Sequence, residues 1–143
     1  MRRSWQAWLW VLLFLSPPGA LAMGVLGGEA PGSIPKPARN FAFTLVDLQG
    51  VETPLREFTI EGSLYLSGQH GKGTVTIPFE RIRAVRFQAQ GQELQAQVEL
   101  TDGTTTTIAV DGLKRCYGRV NYGYFQIELR DLQKMVNQGE TPR

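Results

Sequence analysis

The sequence has few of the residues that most often carry chemistry, with a single cysteine, Cys116, and a single histidine, His70. One cysteine excludes a disulfide framework within the chain and a cysteine-based metal cluster, so a hydrophobic core must hold the fold together. A nucleophile pair of Cys116 and His70 has no third group to orient it, and no acidic residues stand at metal-ligand spacing from His70. We therefore predict a non-enzymatic protein, without catalytic residues, metal or cofactor.

Long apolar runs are also scarce, and the unbroken run near the N terminus covers only residues 8–15. A membrane-spanning helix requires about 20 such residues. Two arginines precede the run, helix-breaking residues follow it at 17–19, and residues 20–22 form a small-x-small cleavage site. This arrangement predicts a signal peptide over residues 1–22, a periplasmic or secreted mature protein, and no integral membrane segment after cleavage.

The chain has little excess charge of either sign. Its 15 basic and 13 acidic residues give a formal charge of +2, and removal of the two arginines of the signal peptide leaves 13 against 13. A neutral mature chain does not favour nucleic acid or an anionic membrane as a partner, so we expect neither. The three tryptophans all belong to the signal segment, which leaves phenylalanine and tyrosine as the aromatic residues of the mature protein.

A repeated pattern of glycine and aliphatic residues organises the rest of the chain. Residues 73–87 read GTVTIPFERIRAVRF, and residues 123–137 read GYFQIELRDLQKMVN in the same frame. Each copy begins with the apolar–polar alternation of a strand and continues with apolar residues three apart, which indicates a tight helical turn. Gly68 and Gly118 match at the same offset of fifty. Pro78 lacks an N–H group, so we expect its strand at a sheet edge or beside a bulge.

Alternating segments and glycine turns surround both copies of this frame. We predict a Pro- and Gly-rich leader over residues 23–39, a β domain over residues 40–137 and a flexible tail over residues 138–143. Within the domain, two tandem repeats of about fifty residues cover residues 40–87 and 94–137. A lone repeat would bury too little surface to be stable. The predicted fold class is therefore all-β, with both repeats sharing the core of a compact barrel or sandwich, and the pattern leaves open whether the strands close one barrel or two.

The succession of strand, DG turn, strand and G-x-x-x-I-x-[FL]-x-x-[IL]-x-x-[VM] resembles the small SH3-like or Sm-like β-barrel repeat of many secreted bacterial proteins of unknown function. The residues that carry this resemblance are Asp102-Gly103, Tyr117-Gly118 and residues 123–135, echoed by Gly68 and residues 73–85. The resemblance implies an all-β fold and transfers no functional residue. Sm-like barrels that bind RNA would need basic and aromatic loop residues that we do not identify here.

Two candidate binding sites lie in or near the first copy of the frame. In the glycine-rich loop over residues 68–73, backbone N–H groups around Gly71 and the side chain of Lys72 would cradle an anion, although a plain hairpin tip explains the same pattern. A basic cluster of Arg81, Arg83 and Arg86, together with Arg130 and Lys134 of the second copy, would meet an acidic partner such as a phosphorylated glycan or a lipid head group. Acidic residues are interleaved with these arginines, which favours a solvated rim instead.

Three tyrosines, Tyr117, Tyr122 and Tyr124, form the third candidate site. Tyr122 and Tyr124 share the parity opposite to Phe125, so both are expected to face outward. Exposed tyrosines suit a contact with a protein or a sugar, whereas rings that merely cover a strand edge are the alternative. Our main hypothesis is an exported, non-catalytic β module that binds an envelope protein or glycan through these tyrosines or an open strand edge. The alternative is a small-ligand or anion binder that uses residues 68–73.

Overall fold

A computed structural model describes residues 34–142, and the chain from Pro35 onwards forms one compact unit. The predicted signal peptide and most of the predicted leader, residues 23–33, lie outside the described residues. Within that range the chain forms ten strands and two single-turn 3₁₀ helices: β1 (Asn40–Asp47), β2 (Glu52–Ile60), β3 (Tyr65–His70), β4 (Gly73–Pro78), η1 (Phe79–Arg81), β5 (Ile82–Gln90), β6 (Glu93–Leu100), β7 (Thr105–Val110), β8 (Arg115–Val120), β9 (Gly123–Glu128), η2 (Leu129–Asp131) and β10 (Leu132–Thr141). None of the helices described is long and apolar enough to cross a membrane.

All ten described strands join in an antiparallel sheet that curls around a hydrophobic core. The prediction of an all-β fold is thereby confirmed. The strand order is β4-β3-β7-β6-β5-β10-β1-β2-β8-β9. When each strand is exchanged for the strand five places away in the chain, the same order is obtained in reverse. The pairing of β5 with β10 lies at the centre, and the hairpins β3–β4 and β8–β9 lie at opposite ends.

Four corresponding elements of the two halves begin fifty residues apart, whereas β6 and β7 begin fifty-three residues after β1 and β2. The elements β3, β4, η1 and β5 begin at residues 65, 73, 79 and 82, and β8, β9, η2 and β10 begin at residues 115, 123, 129 and 132. Ile77 on β4 lies opposite Leu66, and Ile127 on β9 lies opposite Cys116 at the same position of its hairpin. The shared frame of the sequence therefore corresponds to a shared succession of strand, tight turn and strand.

Each 3₁₀ turn directs one large apolar side chain into the core. The side chains of Phe79 in η1 and Leu129 in η2 are fully buried. The ring of Phe79 packs against three other phenylalanines, with centroid distances of 5.6 Å to Phe41, 5.0 Å to Phe43 and 5.5 Å to Phe58. The break in strand periodicity after each glycine frame thus serves to place a core residue at the corner between two strands.

Gly68 and Gly118 lie where adjacent strands approach too closely for a side chain. A Cβ atom added at Gly68 on β3 would lie 2.5 Å from the carbonyl oxygen of Ala109 on β7. A Cβ atom added at Gly118 on β8 would lie 2.8 Å from the Cβ atom of Leu55 on β2. Both contacts join strands from different halves of the chain, so the matching glycines are explained by packing.

The structure corrects the flexible tail that the sequence predicted from residue 138, because β10 continues to Thr141. The last residues of β10 pair with the beginning of β1, where Asn40 lies opposite Thr141. At this end Arg39 donates to both carboxylate oxygens of Glu140, at 2.8 and 2.9 Å. The sequence did not predict this extension, because its residues are polar and show no alternation of apolar side chains. Strand pairing and an ion pair hold the segment instead.

Asn137 fixes the position of this last strand segment through its side-chain amide. Its Nδ2 atom donates to the carbonyl oxygens of Phe79 and Ile82, both at 3.0 Å. Its Oδ1 atom accepts a hydrogen bond of 2.8 Å from the N–H group of Gly139. One half-buried amide thus connects the 3₁₀ turn of the first half with the final strand of the second.

We expect Gly68→Ala to lower the free energy of unfolding by about 1–3 kcal/mol, because the new Cβ atom forces the β7 backbone to move. Gly73→Ala is the matched control on the same hairpin, since an added Cβ atom there would have no neighbour closer than 3.7 Å. The control should change stability by no more than about 0.5 kcal/mol. Urea denaturation followed by circular dichroism measures both variants, and equal losses would contradict the packing explanation.

Candidate functional site

The two outermost strands of the described sheet are paired on one side only, and they differ in how well they are protected. Backbone N–H and C=O groups of an edge strand are available to another chain unless proline, charge or a covering segment blocks them. The edge strand β4 ends with Pro78, as expected for a proline in a strand. The opposite edge strand, β9, contains no proline. It therefore presents fewer obstacles to an added strand.

Two of the three predicted tyrosines lie at this less protected edge. Tyr122 occupies the turn between β8 and β9 and is 89% exposed, and Tyr124 lies on β9 and is 52% exposed. Tyr117 is half-buried on β8, where it pairs with Thr59 of β2 and Gln126 of β9. We call β9 together with Tyr122 the tyrosine edge. Tyr117 lies one strand inward from this edge.

A hollow of about 400 Å³ lies beside Tyr122. Its wall comes from the first residues of β2, the end of β8 and the turn that follows β8, and it includes Val51, Pro54 and Val120. Val51 is more than half exposed. The hollow therefore offers an apolar surface of side-chain size next to the most exposed ring of the described chain.

A β-bulge in β2 positions the charged groups at the rim of this hollow. The register of β2 with β8 shifts between Arg56 and Thr59, and Glu57 in the bulge adopts a positive φ of 53°. The carboxylate of Glu57 accepts a hydrogen bond of 3.3 Å from Arg119 on β8. Arg119 in turn lies directly opposite Tyr124. The bulge thus holds a guanidinium group against the tyrosine edge, which is a common role of bulges beside binding sites.

The loop predicted over residues 68–73 is a two-residue turn in the structure. His70 pairs with Gly73 at the end of the hairpin, which leaves only Gly71 and Lys72 in the turn. Gly71 has a φ of 63°, in the left-handed region that glycine adopts at low cost. This agrees with the hairpin tip that the sequence indicated, and an anion at this turn would meet one exposed lysine and a tight hairpin.

The predicted basic cluster is engaged with the neighbouring hairpin. The carbonyl oxygen of Arg81 accepts a 3.0 Å hydrogen bond from the N–H group of Thr101. The guanidinium group of Arg83 donates to the carbonyl oxygen of Thr101 at 3.2 Å and lies 3.5 Å from the carboxylate of Glu99. Both side chains remain largely accessible, so the ion pair of Arg83 contributes little stability, and the contact of Arg81 involves its backbone alone.

The single thiol of Cys116 is fully buried between β2 and β9. Burial raises the pKa of this thiol far above its ordinary value, and the nearby charge of Glu61 raises it further. Because the thiolate is the reactive form, Cys116 behaves as a small apolar core residue. Among residues 34–142, no three His, Cys, Asp or Glu side chains are grouped closely enough to hold a metal ion.

The structure contains a groove of about 620 Å³ on the outer face of the central strands. The sequence did not predict this groove. We call it the central groove. Five glutamines contribute to its lining: Gln88, Gln90, Gln95, Gln97 and Gln133. The spacing of glutamine by two residues on either side of Gly91 was a usable signal, because it places these amides on one face of a hairpin. The residues that β10 contributes to the groove reach it through long-range strand pairing, which no local pattern in the sequence indicates.

We expect Cys116 to resist a thiol reagent such as DTNB at pH 8 in the folded protein and to react fully in guanidinium chloride. Burial keeps the thiol protonated and out of reach of the reagent, and unfolding removes both obstacles. Absorbance at the wavelength of the released product measures the reaction. Rapid labelling of the folded protein would contradict this description of the site.

Comparison with known proteins found a family model whose description names no function. A family model described as "Uncharacterised protein" matches residues 37–140. We found no match to the chain among curated proteins or among solved structures. The matched range begins before β1 and ends within β10, so it covers both edges of the sheet and the central groove.

Proposed function

Because the chain belongs to this family of uncharacterised proteins, we propose its function from its own surfaces: an exported, non-catalytic β module that binds an envelope protein. The observation that carries the proposal is the proline-free edge strand β9, flanked by the exposed rings of Tyr122 and Tyr124. The burial of Cys116 supports a role in binding over a role in thiol chemistry.

The partner contributes an extended segment that pairs with β9. Addition of a strand to an exposed edge derives its affinity from main-chain hydrogen bonds and its specificity from pockets that take alternate side chains. The six residues of β9 provide the first component. The exposed rings of Tyr122 and Tyr124 provide the second, since they flank the position of the added strand.

The side chains at this edge have the composition of energetically important contacts in protein interfaces. Tyrosine and arginine are enriched among residues whose removal costs an interface about 2 kcal/mol or more. Tyr122 and Tyr124 are available, and the neighbouring Arg119 is held in place by Glu57. A pre-positioned guanidinium group loses less conformational freedom when a partner binds than a free one does.

We also infer that the sheet consists of two small barrels of the SH3-like type, derived from a duplicated unit, that have exchanged strands. The continuous segment from β3 to β7 has the order β4-β3-β7-β6-β5, and the remaining strands have the equivalent order β9-β8-β2-β1-β10. Under this equivalence the two edges occupy matching positions, yet Thr74 corresponds to Tyr124 and Pro78 to Glu128. Divergence at one edge of a symmetric scaffold supports a binding role for that edge.

The alternative function, binding of a small anion at residues 68–73, receives less support from the geometry. Most of that segment pairs within the hairpin, and Lys72 is the one cation of the turn. A thermal-shift measurement with phosphates and acidic sugars decides the matter, since a stabilisation that Lys72→Gln abolishes would favour the alternative.

We expect Tyr122→Ala/Tyr124→Ala to reduce capture of the partner from the envelope fraction by about tenfold or more, because both rings lie at the proposed contact. Lys72→Ala/Thr74→Ala is the matched control, since these residues occupy the corresponding positions on the other hairpin. Quantitative mass spectrometry of the captured proteins measures the effect. Unchanged capture by the tyrosine variant would remove the tyrosine edge from consideration.

Hydrogen exchange provides a second measurement that reports on the mode of binding. With the captured partner bound, amides of β9 should gain protection, whereas amides of β4 should not. Protection of both edges, or of neither, would contradict strand addition at the tyrosine edge.

For export, we expect the mature protein to begin at Met23 and to be recovered from the periplasm or the medium, because residues 1–22 have the three parts of a signal peptide. Ala22→Arg should block cleavage and cause the precursor to accumulate. Mass spectrometry of the N-terminal peptide identifies the start of the chain. An intact N terminus in the cytoplasmic fraction would contradict export.

A further inference from the structure

A straight row of side chains crosses six neighbouring strands on the outer face of the sheet. The pairing registers place them in the following order across β2, β1, β10, β5, β6 and β7: Glu52, Val46, Lys134, Arg86, Gln97 and Thr107. Neighbouring strands lie about 4.8 Å apart, so the row is about 24 Å long. All six residues line the central groove.

Two basic side chains stand directly opposite each other in the middle of this row. Lys134 on β10 is paired in register with Arg86 on β5, and like charges in this arrangement destabilise a sheet. Within the described residues neither side chain forms an ion pair, although other arginines of the surface do. Glu52, the acidic residue of the row, lies two strands beyond Lys134, and Glu99, which is diagonal to Arg86 on β6, forms its ion pair with Arg83 at 3.5 Å. An anion placed between the two cations would offset their repulsion.

Glutamine amides surround this pair of cations on both sides. Gln97 lies directly opposite Arg86, and Gln88 and Gln95 face each other one step further along the same hairpin. A bulge in β10 adds Gln133, because the register with β1 shifts between Val46 and Asp47 and leaves that residue without a partner in the ladder. Each amide offers donors and an acceptor, which is the combination that hydroxyl groups require.

We propose that the central groove binds an acidic polysaccharide, with a carboxylate of the chain between Arg86 and Lys134 and its hydroxyl groups on the surrounding glutamines. A long open groove accommodates an extended polymer, and the two unpaired cations select a charged one. Phe87 is the aromatic residue of the lining and is only 9% exposed, so the bases of a single-stranded nucleic acid would find no ring on which to stack. The groove lies on the central strands, so this binding does not depend on the tyrosine edge.

The first experiment measures binding of polygalacturonate to the purified protein by isothermal titration calorimetry at low ionic strength, with dextran as the uncharged polymer. Arg86→Gln/Lys134→Gln should weaken the affinity by about tenfold or more, because two charge-assisted hydrogen bonds are lost. Lys36→Gln/Arg130→Gln is the control, since it removes the same charge outside the groove and should change the affinity by less than about twofold. Dextran should not bind measurably.

Thermal unfolding of the same variants separates a binding role from a structural one. Removal of the like-charged pair should raise the melting temperature in the absence of ligand while it weakens binding. Gln97→Glu provides a second variant, because a carboxylate opposite Arg86 should also raise the melting temperature and exclude the anionic polymer. A loss of affinity that accompanies a lower melting temperature in both variants would assign these residues to the fold and overturn the proposal.

Three further outcomes would overturn the proposal. They are a wild-type protein that does not bind polygalacturonate, equal affinity for dextran and polygalacturonate, and tighter binding of a single-stranded oligonucleotide of the same charge. Capture of the envelope protein is measured separately, so failure at the groove leaves the tyrosine edge unaffected, and the converse also holds.

Discussion

The pairing of each end hairpin with a strand from the other half of the chain is the interaction on which the rest of the structure depends. β3 pairs with β7 and β8 pairs with β2; Gly68 leaves room for the backbone of Ala109 at the first pairing, and Gly118 leaves room for the side chain of Leu55 at the second. A two-stranded hairpin is at best marginally stable alone, so neither end hairpin would persist without this support. Because the contacts run between halves, core formation requires both, and the edges and the outer face are positioned by the same pairings.

The sequence predicted those parts of the fold that local periodicity determines. Alternation around Ile77 and Ile127 indicated strands, the spacing of three that follows indicated the 3₁₀ turns, and Pro78 indicated an edge. Long-range pairing determines the remainder. The final residues of β10 are polar and become a strand only because β1 lies beside them, and Arg86 and Lys134 are neighbours only through the pairing of β5 with β10. No local pattern in the sequence reports such a register.

The same limit applies to the candidate sites. The parity of Tyr124 predicted its exposure, because side-chain direction alternates along a strand, whereas Tyr122 is exposed because it lies in the turn before β9. Alternation along a strand does not predict that β9 lies at the end of the sheet, because strand order depends on which segments meet in space. The glycines of residues 68–73 were interpreted as a loop because glycine marks both turns and close backbone approach. Gly71 has the first role and Gly68 the second.

Glu52 separates the two proposed binding surfaces, because it lines both the central groove and the hollow beside Tyr122. An acidic polymer held by Arg86 and Lys134 would be repelled by this carboxylate as it approached β2. The bound polymer would therefore end before the hollow and leave it open to a side chain of the protein partner. An added strand extends the sheet beyond β9, away from the groove, so the sheet has room for both ligands at once. A surface organised in this way suits a module that connects a protein to an acidic glycan.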